Sequence, residues 1–271
     1  MNGTLLLNIL LTIAAQQAAQ GRNVVDGVDR NHGLEALTEL HFRFGKKYDA
    51  EKFPYREPRK ALDRWLEMLI GKGMSFADIS YARHPKESER HSRMTAGFVG
   101  GGGTWFIVTS MREERLVWLC NLKPDFGPQN NMLGWRYGFS GEPADFIADA
   151  PQLAISRENF IEALDRIIKF ARSNGLEMWS DNFFQPALDT LQRRISLTEN
   201  GISFAGLNIH PERAEVLSAV TRAWAFGGMG SWNDQWVGSD KRQAEYERVS
   251  DTLFAILIEA TIAATNDPRS A

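Results

Sequence analysis

The sequence predicts an α+β fold, in which helices flank a small, mainly antiparallel β-sheet. Apolar residues recur with helical periodicity towards both ends of the chain, whereas the central runs "TWFIVTSM" and "RLVWLCNL" are β-branched and aromatic, as in strands. These segments come in blocks and do not alternate, which favours α+β over α/β. Without a long polar linker, we expect one domain over 1–271, with a helical part at about 1–93, the sheet at about 94–141 and a second helical part at about 142–271.

The N-terminal run "LLLNILLTIAA" predicts the first helix. Asn8, Thr12, Gln16 and Gln20 recur every four residues opposite a leucine-rich face, which indicates an amphipathic helix with Thr4 as a candidate N-cap. A secretory signal is the alternative, but no Lys or Arg precedes the apolar run. The run is also too short for a membrane span. We therefore expect a retained, packed helix, a cytoplasmic protein and no association with membranes.

The remainder of the first part reads as helical. "LEALTELHFRF" at 34–44 predicts a second helix, and Pro58 marks the start of a third, whose apolar stripe includes Leu62, Trp65 and Leu69. The charged segment "YARHPKESERHSR" predicts an exposed loop or a short helix.

A hairpin and a third strand make up the expected sheet. The two central apolar runs are separated by "REE", and their continuity predicts strands buried on both faces. In "GWRYGFSGEP", Trp135, Tyr137 and Phe139 alternate with polar or small residues, which indicates a half-buried strand.

Four further helices are expected after the sheet. Ser156 caps the first, with Gly175 as its stop, and "FFQPALDTLQRRI" forms the second. Pro211 begins the third, and the fourth carries an apolar stripe that includes Tyr246 and Leu253.

Composition excludes some classes of function. The chain has 271 residues, of which 43% are hydrophobic, and a net charge of −3, which argues against a general nucleic-acid-binding protein. Its one cysteine, Cys120, excludes an intramolecular disulfide and a cysteine-based zinc site. Because Cys120 lies in an apolar run, we interpret it as a small buried hydrophobic residue rather than a catalytic thiol.

Motifs for catalysis or for cofactor binding are not recognisable in the sequence. Gly100–Gly103 precede a strand and lack the lysine of a phosphate-binding loop, so we interpret them as closely approached backbone. The histidines show no strong metal-binding spacing, and Ser231 in "GMGSW" departs from the nucleophile-elbow pattern. We therefore assign no catalytic residue, no metal ligand and no cofactor.

The stretch "RAWAFGGMGSWNDQWVG" at 222–238 is the strongest candidate for a functional element. One interpretation is a structural corner, in which Gly227 or Gly228 ends the preceding helix in a left-handed conformation. The other is a recognition loop, because aromatic residues are favoured at interface centres. The two are compatible, and the candidate binding residues are Trp232, Asn233, Asp234 and Trp236.

The C-terminal part also carries a resemblance. "AWAFGGMGSWND", together with the helix "EYERVSDTLFAILIEA", resembles the C-terminal end of uncharacterised bacterial proteins, some of which are encoded beside polymorphic toxins and are regarded as immunity proteins. This resemblance covers about a fifth of the chain. It implies a non-enzymatic role in which the protein binds and neutralises a cognate toxin. The alternative is a small-molecule enzyme, a hydrolase or transferase, with a site near the glycine-rich strand and Arg83-His84.

Overall fold

The structure is a computed structural model that describes residues 3–22, 37–44, 57–83, 88–96, 102–129, 132–144, 156–194, 204, 207 and 209–266. Its helices and five-stranded mixed sheet confirm the predicted α+β class. The chain divides into two compact units. A sheet unit comprises 3–80, 105–152 and 265–271, and a helical unit comprises 1–2, 81–104 and 153–264. The expectation of a single domain stays a prediction.

The sheet has the strand order β1-β5-β4-β3-β2. The strands span Leu37–Phe44 (β1), Phe76–Ala82 (β2), Thr104–Ser110 (β3), Arg115–Phe126 (β4) and Met132–Pro143 (β5). Strand β4 is antiparallel to β3 and β5, whereas β1 runs parallel to β5. The predicted hairpin and third strand are confirmed, but β1 and β2 lie in the part expected to be helical.

The predicted helix over 34–44 is wrong, since residues 37–44 form β1. Leu40 and Phe42 are buried, whereas His41 and Arg43 are not. This alternation is the two-residue period of a strand. Pairing with β5, nearly a hundred residues away, supplies the backbone hydrogen bonds that a helix would have made locally.

Two helices complete the described sheet unit, α1 at Gly3–Ala19 and α2 at Pro58–Gly71. Both were predicted, but the expectation of an amphipathic α1 is wrong, because Asn8, Thr12 and Gln16 are as buried as the leucines. Their side chains bond inside the fold instead: Thr12 Oγ1 donates to Asn8 O at 2.8 Å, and Gln16 Nε2 donates to backbone carbonyls. Among the described residues, no helix has both the length and the apolar character needed to cross a membrane.

An aromatic cluster forms the core between α2 and the sheet. Trp65 of α2 stacks on Phe42, with ring centroids 4.6 Å apart, and meets the edge of Trp118 at 5.5 Å. Phe139 of β5 stacks on the same Phe42 at 5.6 Å. The hairpin strands were expected to be buried on both faces. This holds for Trp105–Thr109 of β3, but β4 is buried on both faces only over Leu116–Trp118 and is partly exposed beyond it.

The helical unit contains α3 (Glu89–Thr95), α4 (Arg157–Ser173), α5 (Glu177–Trp179), α6 (Gln185–Leu191), α7 (Pro211–Ala223) and most of α8 (Asp240–Thr265). A single π-helical turn at Ser180–Phe184 joins α5 to α6. The predicted caps are confirmed: Ser156 Oγ accepts from Asn159 N, Gly175 after α4 is left-handed, and Pro211 opens α7. The charged segment enters the short helix α3 only from Glu89 onward, and Arg93 on that helix is fully buried. Residues 84–87 of the segment lie outside the described residues.

Candidate functional site

The stretch 222–238 forms a loop between α7 and α8, which we call the tryptophan loop (Trp224–Gly238). Helix α7 ends at Ala223, and the loop closes on itself where Trp232 N donates to Ala225 O at 3.2 Å. Of the two glycines expected to cap α7, neither has a positive φ, and that part of the prediction is wrong. The left-handed residues of the loop are Gly230 and Gly238, with φ values of 78° and 82°. Gly230 lies at the sharp bend, which comes just before the 3₁₀ turn Trp232–Asp234 rather than at the end of the helix.

Trp232 anchors this loop in the core of the helical unit. Its side chain is fully buried, and its ring lies edge-on to Phe184 at 5.1 Å and to Trp179 at 6.0 Å. The indole N–H donates to Ser250 Oγ at 2.7 Å, and the Tyr246 hydroxyl donates to the Trp232 carbonyl. Burial raises the pKa of Tyr246 to about 12, with Arg93 opposing the shift, so the phenol stays protonated and donates this bond at neutral pH.

Asn233 is held by a buried arginine of α3. Arg93 Nη1 donates to Asn233 Oδ1 at 2.8 Å, while Asn233 Nδ2 donates to the Arg93 carbonyl at 3.0 Å. The same guanidinium donates through Nε to Asp251 at 2.6 Å and lies 5.9 Å from the centre of the Tyr246 ring. Paired in this way, the charge of Arg93 is compensated inside the fold, and the loop is tied to both α3 and α8.

The polar side chains of the loop stabilise its backbone. The Gly230 N–H donates to Asp234 Oδ2 at 2.5 Å. Ser231 Oγ donates to Gly227 O at 3.1 Å and accepts from Asn233 N at 3.2 Å. Ser231 therefore acts as the cap of the 3₁₀ turn, and its hydroxyl is committed to that turn rather than paired with a base.

The predicted binding residues divide into two environments. Trp232 and Asn233 are buried, whereas Asp234 is exposed and Trp236 is 66% exposed. The structure adds Met229, which is 95% exposed and was not proposed from the sequence. The sequence does suggest that Met229 is exposed, because a large apolar residue between two glycines has no neighbouring side chain to cover it. Arg93 was missed because it lies in a charged run, where burial is not expected.

The last two residues of the glycine run, Gly102 and Gly103, are packed against their own unit. Gly102 and Gly103 have φ values of 73° and 82°, and a Cβ on either would overlap Ala96 or Tyr81. The Gly102 N–H donates to Thr95 Oγ1 at 2.9 Å, and its carbonyl accepts from the Tyr81 hydroxyl at 2.7 Å. These two glycines are the closely approached backbone that was predicted, and the Gly102 amide is already used within the fold. Gly100, Gly101 and His84 lie outside the described residues.

The structure also gives the environments of His210 and Cys120. His210 caps α7 through Nδ1, which accepts from Glu212 N. Cys120 is half-buried, and burial raises the pKa of its thiol to about 12, which opposes formation of a thiolate. In the part of the chain that the structure describes, no group of three or more His, Cys, Asp or Glu residues is arranged to hold a metal ion.

Comparison with known proteins adds no relative to this description. No protein-family model, no curated protein and no solved structure matches the chain significantly.

Proposed function

We propose that this protein acts by stoichiometric binding of another protein through the tryptophan loop. The observation that carries the proposal is the exposure of Trp236 and Met229 on a loop whose backbone is fixed from inside by Trp232 and Asn233. Tryptophan is enriched among the residues that dominate binding energy at protein interfaces.

The internal anchoring favours recognition because it lowers the entropic cost of binding. A flexible loop would lose conformational freedom on meeting a partner, whereas this one is already held by hydrogen bonds at Gly230, Ser231 and Asn233. When a partner covers the two exposed side chains, their apolar surface is removed from water, and the loop loses little further conformational entropy.

The partner we propose is a cognate bacterial toxin, which the protein neutralises in the cytoplasm as an immunity protein. Support comes from the resemblance of residues 223–234 and 245–260 to proteins encoded beside polymorphic toxins. An interface centred on Trp236 and Met229 is apolar, and the chain carries a net charge of only −3, so we expect affinity to depend weakly on salt.

The proposal is tested by co-expressing the protein with the toxin-like product of a neighbouring gene in a sensitive host. Protection should require at least equimolar protein. Trp236→Ala and Met229→Ala should each weaken the complex by about tenfold or more, equivalent to about 1.4 kcal/mol, with an unchanged melting temperature. Isothermal titration calorimetry on the purified pair gives the affinity and the stoichiometry.

A matched control is Phe126→Ala, which removes a comparably exposed apolar side chain, 51% exposed, from the sheet unit. It should leave both protection and affinity unchanged. If Trp236→Ala and Met229→Ala behave like this control, the loop is not the binding surface. Protection by far less than one equivalent would instead support the enzyme alternative.

A further inference from the structure

A concave surface lies in the sheet unit, on the face of the sheet opposite the aromatic core. It is a cavity of about 260 Å³, which we call the β5 groove. Its walls come from β1 and β4, and its floor is β5, where two small residues, Gly138 and Ser140, face outward. The pairing register sets His41, Gly138 and Asn121 in one row across the three strands. The flanking side chains therefore rise on both sides of Gly138 and Ser140, where the side chains of β5 that face the groove are small.

Gly138 is not required by the fold. Its φ is not positive, and a Cβ built on it would meet only Asn121 O, at an ordinary contact distance of 3.8 Å. Gly141 on the same strand differs, because a Cβ there would press on the ring of Trp118 at 3.0 Å. A glycine inside a strand weakens it unless a close approach needs the space. At Gly138 the space opens to the groove, which points to a ligand rather than to packing.

The groove concentrates positive charge in a chain whose net charge is negative. Arg43, Lys123 and Arg136 line it, with Glu39 as its one carboxylate. Glu39 is occupied, since its Oε1 lies 2.8 Å from His41 Nε2, and Arg136 is held 3.1 Å from Asp125. Within the described residues, Arg43 and Lys123 form no ion pair with a carboxylate. They stand on opposite walls, and no carboxylate of the described residues compensates either charge.

We propose that the β5 groove binds a small anionic ligand through its phosphate or carboxylate oxygens. Arg43 and Lys123 supply the charge from the two walls, Asn121 and Ser140 can donate hydrogen bonds, and Gly138 lets the ligand approach the backbone of β5. Arginine and lysine are the side chains that proteins use for such oxygens. The volume is slightly below that of sites for drug-sized molecules, which fits a compact metabolite-like anion.

The experiment titrates inorganic phosphate, pyrophosphate and citrate into the full-length protein at constant ionic strength, with glycerol as a neutral comparison. We expect saturable binding of at least one anion with a Kd of about 1 mM or tighter. Preference for pyrophosphate would identify a phosphate ligand, and preference for citrate a carboxylate. Arg43→Gln and Lys123→Gln should each weaken anion binding about tenfold. The control is Lys241→Gln, which replaces an exposed lysine of the helical unit and should leave binding unchanged.

Gly138→Val is the decisive variant, because it fills the groove where the fold has room for a side chain. It should abolish anion binding while the melting temperature stays the same or rises, since valine favours strands. The proposal is overturned if none of the three anions binds saturably, if glycerol binds as well as they do, or if Gly138→Val binds as the wild type does. A melting temperature lowered by Gly138→Val would also contradict it, because the glycine would then be a packing requirement.

Discussion

Trp232 and Trp236 lie four residues apart on the tryptophan loop but in different environments. The ring of Trp232 is enclosed by Trp179, Phe184 and Tyr246, and its N–H is bonded to Ser250, whereas Trp236 is mostly in water. The residue type alone gave no reason to separate them. The separation matters for mutagenesis, because the first position reports on folding and the second on binding.

We expect Trp232→Ala to lower the free energy of unfolding by about 3–5 kcal/mol, the range for truncating a fully buried large aromatic side chain. Urea denaturation followed by circular dichroism measures this change. Trp236→Ala is the control within the same loop and should stay within about 0.5 kcal/mol of the wild type. An unchanged unfolding midpoint for Trp232→Ala would mean that the loop is not anchored as described.

Cys120 allows a pH-dependent test with a single reporter, because the chain has no other cysteine. With the thiol pKa raised to about 12, little thiolate exists in the folded protein at pH 8. A thiol reagent such as DTNB should therefore react about a hundredfold more slowly than with the unfolded chain. Raising the pH towards 10 should speed the reaction of the folded protein steadily without a plateau. A plateau near pH 8.5 would show an ordinary thiol.

At the scale of the element, α1 shows how a polar stripe can be misread. A four-residue spacing of polar residues is the pattern of a solvated helix face. Here the neighbouring elements supply partners for it, since Gln16 Nε2 donates to Ala77 O at 2.9 Å and to Thr265 O at 3.0 Å. The stripe therefore ties the helix to β2 and to the end of α8 at Thr265, within the sheet unit.

Gln16→Leu should accordingly destabilise the protein, although it places an apolar residue in a buried position. The substitution leaves the carbonyls of Ala77 and Thr265 without their hydrogen-bond donor, which should lower the free energy of unfolding by about 1–3 kcal/mol. Gln20→Leu, at the exposed end of the same stripe, should change stability by less than about 0.5 kcal/mol. Chemical denaturation of the two variants side by side measures the difference. Equal stabilities would mean that the bonds of Gln16 contribute nothing.

The strand β1 marks the limit of local reasoning about elements. "LEALTELHFRF" contains leucines and glutamates that favour a helix, and only the final residues show strand alternation. The strand forms because β5 offers its edge for pairing from Trp135 to Gly141, and this parallel pairing overrides the local preference. The hairpin β3–β4 was predictable because its two strands are neighbours in sequence and their turn is short.

At the scale of the whole molecule, each unit is assembled from segments that lie far apart in sequence. The helical unit contains both α3 and the tryptophan loop, and the bond between Arg93 and Asn233 spans 140 residues. The β5 groove of the sheet unit is built from three strands, and two of them, β1 and β5, are separated in sequence by α2, β2, α3 and β3 and β4 of the hairpin. The β5 groove therefore has no contiguous motif that the sequence could display, whereas the tryptophan loop is one contiguous stretch whose anchoring partners, such as Arg93, lie far away in the sequence.

The sequence by itself determined the α+β class, the hairpin and the helices that begin at Pro58, Arg157 and Pro211, because periodicity, caps and turns act over a few residues. The tertiary structure decided that residues 37–44 pair as a strand and that the polar stripe of α1 is buried. It also decided which residues of the tryptophan loop reach solvent and that Arg43 and Lys123 face one groove. These outcomes depend on which distant segments pack together, and burial and strand pairing between such segments outweigh the small energies of local preference.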